Sequence, residues 1–249
     1  MHERPLDLPP VFRAHELAPT QDALALAIEH VVSHGEPAEL FWERCDERIS
    51  AAVTLTPEPP RDVPAALVAV GLVGLADALA VLVPPGRAVH TVWPDRIYLN
   101  DAMLGGVRLA ITPAGQERRA ALAILLQRGA LADDRHARDG MTSLADEGCT
   151  EVSAAAVIGA FARVLLNWSD SWEHQGFAPL RQQWLARARD YRQTVHWRAG
   201  QRSAAGTFAG LTDTGDAILR SDAGVQVLHA EAWLGLDDWH GRLRARPSD

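Results

Sequence analysis

Only two cysteines, Cys45 and Cys149, occur in 249 residues, and they lie far apart in the chain. With so few, and with a start (Met-His-Glu-Arg-Pro) that lacks the apolar stretch of a secretion signal, a reducing cytoplasm is the expected location. Basic charge is also short: 24 Lys+Arg face 32 Asp+Glu, a net charge of -8, and the arginines of 118–119 and 181–202 are interleaved with apolar and acidic residues. No basic stripe results, so nucleic acid is not expected as a partner. Ten histidines are scattered without His-x-Glu-x-x-His or paired-cysteine spacing, and no zinc site is expected from spacing. Walker and GxGxxG phosphate loops are missing, internal repeats are missing, and no Ser/His/Asp or paired-carboxylate arrangement can be assigned from spacing alone.

What is present is ordinary globular composition, 47% hydrophobic and 22% charged, in a length sufficient for one large core and a small appendage. The run 63–83 is long enough to cross a bilayer. It contains Asp77, Gly71 and Gly74, sits between proline clusters and lacks flanking positive charge and interfacial aromatics, so it reads as a buried core helix and no membrane is expected. Before it, 8–12 reads as an entering strand, a helix starts at Thr20 with Asp22 in its first turn, and strands follow at 39–42 and 51–55. After it come strands at 88–93, 104–112 and 120–127, then an Asp/Arg/Gly-rich loop at 129–140. Apolar residues at helical spacing, Val157, Ile158, Phe161, Leu165, Trp168 and Trp172, predict a helix over 153–175 that Gly176 stops, and Pro179 starts a second. Beyond Tyr191 short alternating runs broken by glycines predict a small antiparallel β-unit, with a domain boundary near 190.

Residues 92–109, Val-Trp-Pro-Asp-Arg-Ile-Tyr-Leu-Asn-Asp-Ala-Met-Leu-Gly-Gly-Val-Arg-Leu, carry the most specific signal. They read as strand, tight turn and strand, with two glycines where backbone must come close to something. This stretch resembles the strand pair of biotin and lipoate protein ligases, Trp-Pro-Asn-Asp followed by Lys-Leu-x-Gly-Ile. Asp95 stands for the asparagine, Arg96 for the aspartate, and Met103 for the catalytic lysine. His174-Gln175-Gly176-Phe177-Ala178-Pro179 and the turn Gly210-Leu-Thr-Asp-Thr-Gly215 resemble the family's closing helices and its C-terminal hairpin, so the resemblance spans most of the chain.

The resemblance implies an α+β fold: a ligase-like mixed sheet flanked by helices over 1–190 and a small SH3-like β domain over 191–249. It also implies ATP-dependent activation of biotin, lipoate or a related acid and transfer to a lysine of a carrier domain. Both steps develop negative charge and need a fixed cation. A thioether at Met103 supplies none. The family's Gly-Arg-Gly-Arg loop is matched here by Arg44-Cys45-Asp46-Glu47-Arg48, glycine-free and acidic, and its Gly-x-Asn strand end by Leu125-Leu126-Gln127-Arg128-Gly129.

A degenerate ligase site is therefore expected. Its rivals are a non-catalytic protein that binds a small carboxylic acid or a carrier domain, and an ATP-independent acyltransferase, for which Cys45 has acidic neighbours that disfavour a thiolate. Candidate ligand-binding residues are Trp42, Arg44, Trp93, Asp95, Arg96, Gly105, Gly106 and Arg108. For Trp42 and Trp93 the alternative is core packing, for Gly105-Gly106 close packing of elements, and for Arg96 a solvated face. Arg96, Arg108, Arg44 and Arg48 are the sources of positive charge near the motif; in a working enzyme Arg108 or Arg96 would have to provide the missing cation from a shifted position, and a homodimer is left open.

Overall fold

The computed structural model describes residues 6–18, 21–59, 61, 63–113, 117–131, 140–236 and 238–244. Most of the expected loop at 129–140 lies outside these. Seven strands form one sheet in the order β1-β2-β3-β7-β6-β5-β4: β1 Arg13–Leu17, β2 Glu39–Glu43, β3 Arg48–Leu55, β4 Val89–Val92, β5 Arg96–Leu99, β6 Ala102–Ile111 and β7 Ala120–Gln127. Only β1–β2 pairs in parallel; the other neighbours are antiparallel. The first strand begins at Arg13 and not at Leu8, because Pro9 and Pro10 carry no amide hydrogen for a ladder.

One face of the sheet is covered by α2, Pro64–Leu82, with proline in its first turn and mostly buried residues from Ala65 to Leu79. The run 63–83 is thus the buried helix its composition predicted. Outside it packs α3, Ala154–Gln175, capped by Ser153 and stopped at Gly176, and then α4, Ala178–Ala186. Asp77 stays in α2 because it accepts from the Trp168 indole at 2.7 Å and forms an ion pair with Arg187. On the other face lies α1, Ala23–His34, with Asp22 as its cap, accepting from the Leu24 amide at 2.9 Å.

A second, antiparallel sheet holds β8 Thr194–Ala199, β9 Arg202–Leu211, β10 Ala217–Ser221 and β11 Gly224–Leu228. Its buried residues Val195, Phe208, Leu211, Leu219 and Leu228 belong to the same apolar core as α2 and the first sheet. Val225 and Val227 are exposed on β11, an edge strand. The chain then crosses back to the open face of the large sheet, where a short helix α5, Trp239–Arg244, packs on β6 and β7.

Candidate functional site

The β4–β5 connection and the start of β6 bring the ligase-like residues together. Trp93 precedes a cis peptide bond to Pro94 and is buried. Its indole donates to the Gly215 carbonyl at 3.3 Å, stacks on Trp197 at 5.0 Å and meets Trp233 edge-on at 5.7 Å. Trp93 therefore anchors the second sheet as well as bordering the site. Beside it opens a cavity of about 260 Å³ lined by Trp93, Asp95, Arg96, Trp197, Arg198 and Trp233, among others. Arg96 faces this cavity, its guanidinium 4.0 Å from Asp95, and does not sit on a solvated face. Two arginines and a stacked pair of indoles in one lining make a place suited to a small planar or anionic group.

Gly106 lies opposite Arg96 in the ladder, next to a bulge between Ile97 and Tyr98. A Cβ at Gly106 would come 2.1 Å from the Asp95 carbonyl oxygen, and one at Gly105 2.1 Å from that of Leu125. These glycines thus admit the neighbouring strands; strand-to-strand approach alone accounts for them.

Met103 is 4% exposed and sits among Leu125, Met141, Trp239 and Leu243. Trp239 of α5 is 1% exposed, and its indole donates to Asp95 Oδ2 at 3.2 Å. One side chain from the end of the chain thus reaches the residue in the asparagine position, the residue in the lysine position and Leu125 of the altered strand end. Sequence reading missed it, although Trp239 and Leu243, four apart, are a one-turn apolar pair.

The proposed cations do not converge. Arg108 points to the α1 side, where Nη1 lies 3.3 and 3.2 Å from the two oxygens of Asp22. It steadies the cap of α1 and is remote in role from Met103. Arg44 makes two 2.9 Å hydrogen bonds to Glu16, which hold that carboxyl below its usual pKa, and covers the Trp42 ring at 5.3 Å. Trp42 is a core residue. The Arg44–Arg48 connection is a short turn pinned by Arg128 bonding Asp46 at 2.8 Å. Of the eight ligand candidates, Trp93, Asp95 and Arg96 line the cavity, while Trp42, Arg44 and Arg108 are engaged elsewhere. No other lysine can step in, since all 24 Lys+Arg of the chain are arginine.

The biotin/lipoate A/B protein ligase family model matches residues 8–186, which include the large sheet, α1 to α4, and Trp93, Asp95, Arg96 and Met103 of the site just described. This chain belongs to that family. A biotin--[acetyl-CoA-carboxylase] ligase of Paracoccus denitrificans is 28% identical over 229 residues, covering 89% of this chain and 95% of the relative. Among solved structures, a biotin protein ligase-like protein of unknown function from Silicibacter sp. TM1040 superposes with TM-score 0.82 at 24% identity, covering 92% and 99% of the two chains. The Aquifex aeolicus biotin protein ligase in complex with biotin and ATP gives 0.69 at 14%, covering 87% and 95%. At these identities the solved structures establish the ligase fold, second sheet included.

Proposed function

We propose that this member of the ligase family recognises a small carboxylic acid, biotin foremost, but does not carry out conventional ATP-dependent ligation. The observation that carries the reading is the surroundings of Met103: where the acyl-adenylate reaction needs a fixed cation, the chain places a thioether inside an apolar cluster closed by Trp239. Placing ATP phosphates beside that cluster would strand their charge without a partner. The acidic, glycine-free turn at Arg44–Arg48 adds repulsion where the family wraps its ligand. The Paracoccus relative, a biotin--[acetyl-CoA-carboxylase] ligase, supports biotin as the acid and a carboxylase as the macromolecular partner. Retained recognition is supported by the cavity beside Asp95 and Arg96.

A second reading is favoured by Arg96 itself, which lines the cavity and could stabilise a carboxylate or phosphate from a shifted position. Under it the protein is a working ligase with ATP as cosubstrate. Calorimetric titration with biotin, lipoate, octanoate, ATP and a non-hydrolysable biotinyl-adenylate analogue separates the two. Acid binding that ATP does not strengthen supports the first reading; adenylate-analogue binding far tighter than biotin, abolished by Arg96→Ala, supports the second. Because the chain has no lysine, self-modification at a lysine cannot confuse a transfer assay.

A further inference from the structure

At the far edge of the large sheet, away from β4 and β5, the end of α1 meets the outer strand pair β1–β2. His30 of α1, Glu36 of the following turn and Glu39 at the start of β2 each offer a ligand atom, all within 4.8 Å of one another. These three are separated by six and three residues, a spacing no linear motif announces, and they form the one such trio among the described residues. Glu39 is buried, at 3% exposure, although it carries a carboxylate. Its Oε2 lies 2.5 Å from His15 Nε2, and Arg13 approaches both Glu36 and Glu39, at 3.6 and 3.5 Å.

The Nε2 atom of His30 is buried with no hydrogen-bond partner. A buried imidazole nitrogen without a partner forfeits hydration for nothing, unless something electron-accepting approaches it. Its ring is fixed by stacking on His34 at 4.4 Å and by tilted contacts with Phe41 at 5.3 Å and His15 at 5.8 Å. His34 turns its Nδ1 to the His30 carbonyl at 3.1 Å, within its own helix.

We propose that His30, Glu36 and Glu39 bind a divalent first-row transition ion of the zinc type. One imidazole and two carboxylates are the nitrogen and oxygen donors such an ion takes, and the trio needs only small side-chain movements to close to metal–ligand distances. His15 stands behind Glu39 as the outer partner that orients a ligating carboxylate. Arg13 offsets part of the carboxylate charge in the metal-free site and, being largely exposed, can swing outward when the ion enters. The ion would clamp α1 to the sheet edge, so its role is in stability, apart from the ligase-like groove.

The test is titration of the whole, chelator-treated chain with zinc chloride, followed by calorimetry, with cobalt chloride as a spectroscopic substitute. The expected result is one saturable equivalent, a melting temperature raised by zinc, and a cobalt spectrum without thiolate charge-transfer bands. His30→Ala and Glu36→Gln should each weaken binding at least tenfold; Glu36 is exposed, so its variant folds whatever happens to the other. Absence of saturable binding overturns the proposal. Zinc affinity in both variants equal to that of the parent, or loss of binding on Cys45→Ser, overturns it too.

Discussion

Replacing Trp239 by alanine should release α5 and uncover Met103. The indole is 1% exposed and Leu243 is 6% exposed, so docking removes two large side chains from water. Burying a tryptophan, roughly 150–250 Å² at about 25 cal/mol per Å², contributes ~4–6 kcal/mol, and the leucine another ~1.5–3. The indole hydrogen bond to the Asp95 carboxylate adds ~1.5–3 kcal/mol. Against this, ordering the backbone of the six-residue helix costs about 1–2 kcal/mol per residue, or ~6–12 in all. Gain and cost nearly cancel, and the helix is held by a small margin. Without the indole the balance turns unfavourable and the helix should detach.

Because a detached helix no longer shares the damage, the loss of global stability should be about 1–3 kcal/mol, below the ~3–5 of a tryptophan removed from a closed core. At 2–4 °C per kcal/mol, melting should fall by roughly 2–12 °C. Amide exchange at 239–244 should become fast while β6 and β7 remain protected, and peroxide should oxidise Met103 and Met141 in the variant but not in the parent. Parental exchange rates at 239–244 in the variant, or one cooperative collapse of the whole sheet, would refute the reasoning.

Three further outcomes follow from the packing. Gly106→Ala should cost about 1–3 kcal/mol in urea unfolding, since its Cβ would lie 2.1 Å from the Asp95 carbonyl oxygen; an unchanged midpoint would contradict the strand-approach account. Asp77→Ala should cost about 2 kcal/mol by taking the acceptor from Trp168 and the partner from Arg187, and Arg187→Ala added to it should cost little more in a double-mutant cycle. Cys149 is buried, and burial pushes its thiol pKa up, so iodoacetamide at pH 8 should label Cys45 first; mass spectrometry showing Cys149 alkylated at the same rate would contradict its placement.

The fold was largely legible because its signals are local. Pro64 and the apolar run after it specify α2, Ser153 and Gly176 bracket α3, and the glycine-broken runs beyond Tyr191 specify the second sheet. The candidate site was legible only in part. Trp93, Asp95 and Arg96 come together because they are consecutive or nearly so, whereas Arg108 pairs with Asp22 at the start of α1, a partner 86 residues away in the chain. Trp239 reaches Asp95 across 144 residues, and His30 meets Glu39 only after α1 folds onto β2. Such encounters between separate elements leave no periodicity in the chain.

Under the proposed function, Met103 in its apolar cluster disables acid activation. ATP–pyrophosphate exchange with biotin and lipoate tests it most directly, run on the parent chain, on the chain cut after Leu236, and on Met103→Lys in both. Exchange should stay at background in the parent and in the truncated chain, with no full recovery in Met103→Lys because the phosphate-wrapping loop is also missing. Robust biotin-dependent exchange by the unmodified protein would contradict it.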